Sequence, residues 1–73
     1  MDNQVIIIDF TKQDASIYVD LEVFDDVQKK TFREEVRFLD DLLYGDLVHD
    51  KRSPLSESCR IETIEYLKAY FDR

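Results

Sequence analysis

Between Ser16 and Phe24 the chain alternates without a break: Ile17, Val19, Leu21 and Val23 are apolar, and Tyr18, Asp20, Glu22 and Phe24 stand between them. Successive side chains of a strand point to opposite faces, so this pattern predicts a strand with one dry face and one wet one. Gln4 to Phe10 reads as a second strand. Its Val5, Ile6, Ile7 and Ile8 are consecutive and β-branched, which suits a strand covered on both faces. The polar segment Thr11 to Ala15 is short enough to join the two as an antiparallel hairpin. Pairing Phe10 with Ile17, Ile8 with Val19 and Ile6 with Leu21 gathers six apolar side chains on one face. The reverse face then carries Val5, Ile7, Asp9, Tyr18, Asp20, Glu22 and Phe24.

Further along, the spacing changes. Thr31 and Glu34 match a capping box, and Phe32, Val36, Leu39 and Leu43 recur at helical intervals with Phe38 and Leu42 beside them, so a helix is expected from Phe32 to a stop at Gly45. A rival reading makes Thr31, Phe32, Val36 and Phe38 part of a third strand, with a short helix following from Leu39. Ser53-Pro54 marks a second helix start, where serine caps and proline occupies a position whose amide is not needed. From there to Phe71, the residues Leu55, Cys59, Thr63, Ile64, Tyr66, Leu67, Tyr70 and Phe71 cover about half the helix circumference. A stripe about 100° wide suffices to sit on a sheet. The surplus, mainly Leu55, Cys59, Tyr66 and Tyr70, therefore calls for another cover, either the first helix or a second subunit. The expected architecture is α+β: an antiparallel hairpin or three-stranded meander packed against two α-helices, in one small acidic domain spanning residues 1–73.

Composition limits the chemistry. The chain has 73 residues, 44% hydrophobic with five Phe and four Tyr, which is short for one core but too apolar for a disordered acidic tail. Cys59 is the only cysteine, so no internal disulfide forms, and with neither a signal peptide nor a membrane-length apolar run a cytoplasmic setting is expected. One glycine, Gly45, leaves no Gly-rich loop for phosphate. His49 and Cys59 are the only residues of their kinds, and Cys59 falls on the apolar helix face, where a free cysteine behaves as a small hydrophobe. Asp40, Asp41, Asp46, His49 and Asp50 lack the alternating spacing and closing Glu of a calcium loop. Asp20 and Glu22 are a carboxylate pair without an evident cleft to separate their acidities. No enzymatic activity, metal or cofactor is expected.

Charge supplies the remaining lead. The net charge is −7, and seven acids against Lys12 alone put −6 of it in the first 26 residues. Such a field argues about partners and association rates rather than fold. It disfavours nucleic acid and anionic membrane as direct ligands, since both need clustered Lys and Arg. Carboxylates two apart on a strand lie about 6.8 Å apart, a spacing comparable to that of phosphates along a nucleic-acid strand. Asp9, Asp20, Glu22, Asp25 and Asp26, with Tyr18 among them, are thus candidates to mimic DNA and bind a basic, nucleic-acid-binding protein. Arg37 and Arg60 are not local to this array in sequence. In size and charge alone, the chain is similar to small virus-encoded inhibitors that block host proteins in this manner. The competing expectation is a homodimeric structural or adaptor subunit, with Leu55, Cys59, Tyr66 and Tyr70 in self-association and the acidity serving solubility.

Overall fold

The alternating segment forms a strand, and it becomes the spine of the molecule. In a computed structural model describing residues 2–73, β1 (Gln4–Gln13), β2 (Ser16–Asp25), β3 (Lys30–Leu39) and β4 (Leu42–Tyr44) form an antiparallel sheet in the order β1-β2-β3-β4. A 3-10 turn at Asp46–Val48 leads to a single α-helix, α1 (Glu57–Phe71). The fold is α+β with one helix, not two.

The expected first helix is a strand and the start of another. All ten residues of β3 pair with β2, from Lys30 opposite Asp25 to Leu39 opposite Ser16. The third-strand alternative therefore holds, but the chain beyond Leu39 forms β4 rather than a short helix. A ladder along β2 outweighs the local capping signal of Thr31 and Glu34, because it satisfies backbone groups and buries Val36 and Phe38 together. Phe32, Val36, Phe38 and Leu43 point inward; Leu39 and Leu42 point outward, which a helix would not have done. Gly45 does not end a helix. It sits at φ 144°, and a Cβ there would lie 2.9 Å from Cγ1 of Val36, so glycine is needed for close approach.

The β1–β2 register also departs from expectation. The loop is only Asp14-Ala15, with Asp14 in the left-handed region at φ 54°, so the strands extend to a Gln13–Ser16 pair. Phe10 pairs with Val19 instead of Ile17, and Ile17 faces Lys12. A bulge between Ile7 and Asp9 then inverts the alternation. Phe10 stays on the inner side against Phe71, Val5 and Ile7 join it, and Ile6 and Ile8 turn out to solvent. A one-residue irregularity thus moves four apolar side chains to faces opposite those expected.

The helix lies across the inner face. Cys59, Thr63 and Leu67, four residues apart, are buried against Ile17, Val19, Leu21, Val23, Val36 and Phe38, with Leu47, Val48 and Leu55 closing the core. Leu55 and Cys59 are therefore covered within the chain itself, correcting their assignment to self-association. The inner face of this sheet is wide enough to cover most of the surplus helix surface that had called for a second partner. Tyr66 and Tyr70 remain outside it, 44% and 55% exposed. The helix starts three residues after the Ser53-Pro54 signal: Ser53 donates to the Leu47 carbonyl and accepts the Leu55 amide, fixing the approach, and Ser56 is the N-cap. At the other end Phe71 packs against Phe38 and Phe10, with ring centroids 5.6 and 5.2 Å apart, and Arg73 donates to the Asp40 carbonyl.

Candidate interaction surface

Among the described residues, no second layer covers the outer face of the sheet. Its side chains follow from the register in cross-strand rows: Gln4, Phe24 and Thr31; Ile6, Glu22 and Arg33; Asp9, Asp20 and Glu35; Thr11, Tyr18, Arg37 and Tyr44. Of the six residues expected to bind a partner, the structure brings Asp9, Tyr18, Asp20 and Glu22 together here. Glu35 completes the carboxylate row and was missed, because its segment read as helix. An open hollow is lined by Asp9, Tyr18, Asp20 and Glu35 together with Phe10 and Thr11.

This face is less purely acidic than the sequence implied. Arg33 bonds both carboxylate oxygens of Asp20, at 2.9 and 3.4 Å, which raises the guanidinium's own pKa. Arg37 lies between the rings of Tyr18 and Tyr44, 5.9 and 6.0 Å from their centroids, a cation–π arrangement that fixes it on the same face. Its Nε is buried without a hydrogen-bond partner among the described residues. Four carboxylates thus stand against two guanidinium groups. Among the described residues, no ion pair engages Asp9, Glu22 or Glu35.

Asp25 belongs to a different site. It is fully buried at the end of β2, where its carboxylate accepts the Ser56 amide at 2.6 Å, the Ser56 hydroxyl at 2.9 Å and the Gln28 side-chain amide at 2.7 Å. It also takes the Val27 and Gln28 amides, organising the β2–β3 turn. Burial alone would raise its pKa, but these hydrogen bonds, the Ser56 amide foremost, outweigh that effect and lower it from 3.8 to about 2. The residue caps α1 from another element and offers nothing to a partner, which corrects its place among the binding residues. Its inward position follows from the period-2 pattern that buries Val23. Asp26 sits in the turn, where Lys29 at 2.6 Å lowers its pKa and Asn3 accepts its amide.

The groups considered for chemistry lie apart. Burial pushes the Cys59 thiol up to about 11, the direction that suppresses thiolate reactivity. His49 accepts the Lys51 amide and lies 3.5 Å from Asp50. Among the described residues no three His, Cys, Asp or Glu side chains are grouped to hold a metal, and no helix is long and apolar enough to cross a membrane. The chain matches no family model, no curated protein and no solved structure.

Proposed function

We propose that this chain is a non-enzymatic interaction module whose open sheet face binds a basic partner, inhibiting or regulating a nucleic-acid-binding protein by presenting carboxylates where that protein expects phosphates. The observation that carries the reading is the row Asp9–Asp20–Glu35. Like charges directly opposite on adjacent strands destabilise a sheet, and among the described residues only Asp20 of this row has a compensating ion pair, to Arg33. A partner rich in Lys and Arg would relieve what the isolated fold tolerates. Tyr18, Ile6 and Phe24 on the same face supply apolar contact within the charged surround, the usual anatomy of an interface. The single cysteine and its burial fit a cytoplasmic setting.

The test is chromatography of a low-salt lysate over the immobilised protein. Basic nucleic-acid-binding proteins should be retained, be released by a salt gradient, and pass through a column carrying Asp20→Lys with Glu22→Lys. Failure of the wild-type column to retain any salt-sensitive basic protein refutes the reading. A second reading, a homodimer, is favoured by the exposed stacked pair Tyr66 and Tyr70, 6.2 Å between centroids. It requires that sedimentation show a dimer that Tyr66→Ser with Tyr70→Ser dissociates.

A further inference from the structure

Strand β1 is an edge of the sheet, with β2 on one side and no strand on the other among the described residues. Natural edges are blunted by shortness, lysine, proline or bulges. At the opposite edge β4 is only three residues long, whereas β1 has ten. It also carries the β-branched run Val5 to Ile8, with Ile6 53% and Ile8 41% exposed. The bulge after Ile7, where the Asp9 carboxylate accepts the Phe10 amide at 2.8 Å, interrupts the edge from Asp9 onward. Gln4 to Ile7 remains a straight stretch.

A shallow depression of about 190 Å³ lies beside that stretch, lined by Gln4, Ile6, Glu22, Phe24 and Thr31. Its walls are apolar apart from polar ends and one carboxylate, and Glu22 has no ion pair among the described residues. That combination suits a long cationic side chain, whose aliphatic stem needs apolar cover and whose head needs an anion. The charges flanking the stretch are mainly acidic, the nearby cation being Arg33, which stands opposite Glu22 but gives its ion pair to Asp20. Asp2 precedes it, Asp9 lies just beyond it, Glu22 faces Ile6, and Glu62 of α1 accepts a hydrogen bond from Asn3. Lys12, the only basic residue of β1, lies beyond the bulge. Two copies of this edge would bring acid against acid, so charge selects a basic occupant over a second copy.

We propose that the free edge of β1 at Gln4 to Ile7 accepts an extended basic segment of a partner protein as a fifth strand, with a lysine or arginine lying over Ile6 and Phe24 and its cationic head on Glu22. Main-chain hydrogen bonds give such strand addition its affinity, and side-chain pockets give it specificity. The inference rests on the basic-partner reading above and names how that partner is held.

Four synthetic peptides test it by amide hydrogen exchange and nitrogen–proton chemical shifts: one of about eight residues alternating lysine and valine, long enough for a typical strand, the same peptide N-methylated at alternate residues on one edge and, separately, on the other, and one with its lysines separated by glycine. The first should slow exchange at solvent-facing amides of Gln4 to Ile7 by at least about tenfold. N-methylation on one of the two edges should abolish that protection, and Glu22→Gln should weaken binding about threefold. Shifts confined to Asp20 and Glu35, produced equally by the glycine-spaced peptide, would overturn the fifth strand and leave the acidic face standing. No binding by any peptide would overturn both. Protection that grows with protein concentration in the absence of peptide would make a second copy the occupant and overturn the proposal.

Discussion

Strand β2 passes through two environments on a single backbone. Its inward residues Ile17, Val19, Leu21 and Val23 are buried under α1, and the series ends in Asp25, buried as well but held by five hydrogen bonds. Its outward residues Tyr18, Asp20, Glu22 and Phe24 are each half-buried by neighbours on β1 and β3, with no layer above them among the described residues. The contrast separates two kinds of carboxylate. Asp25 is ionised where every lone pair has a donor, and it stabilises the fold. In the outer row, Asp9 and Glu35 flank Asp20 without ion pairs of their own among the described residues, and apart from the Phe10 amide held by Asp9 at the bulge no hydrogen bond there answers their charge.

The comparison is broken most easily from the inner side. Phe38→Ala removes a fully buried ring that also supports Phe71, and should cost about 4 kcal/mol; denaturant unfolding would show it, and a loss below about 1 kcal/mol would mean the helix does not seal this core. Asp25→Ala leaves the Ser56 and Gln28 donors without their acceptor and should cost about 3 kcal/mol. The same carboxylate should appear in the pH dependence. With its folded value about 2 against an ordinary 3.8, it contributes about 2 kcal/mol that is fully present above pH 3.8 and disappears as pH falls through 2. Urea unfolding at steps across that window should show the loss in the native chain and a shallower slope in Asp25→Ala.

The outer side should behave in the opposite sense. Glu35→Gln relieves a like-charge neighbour of Asp20 and should leave stability unchanged or raise it by a few tenths, about 0.3 kcal/mol, with the gain shrinking as salt is added. A destabilisation above about 1 kcal/mol would show that the outer row is structural after all and would remove the reason for treating it as a binding face.

Much of the outer face could be read from the chain. Tyr18, Asp20, Glu22 and Phe24 share a side because alternation at period 2 is a property of any strand, whatever it pairs with. Asp9 was placed with them correctly, though by a register that is not the one observed. Glu35, Arg33 and Arg37 were not legible there, since a segment with both helical spacing and strand composition is decided by its neighbour. Asp25 was misplaced for a different reason. Beside Asp26 it reads as an exposed turn at the strand end, whereas alternation continued from Val23 points it inward, where Ser56, 31 residues away, satisfies it.

The sequence alone determined that β2 has a dry face and a wet one, that a helix closes the chain toward Phe71, and that negative charge gathers in the first 26 residues. These are local properties of side-chain period, capping chemistry and composition. Only the tertiary structure decided that residues 30–39 are strand, that the bulge after Ile7 turns Ile6 and Ile8 outward, and that two arginines share the acidic face. Each depends on pairing between strands, where the backbone ladder and the burial of a common face are shared by two segments, and no window on either segment contains that free energy.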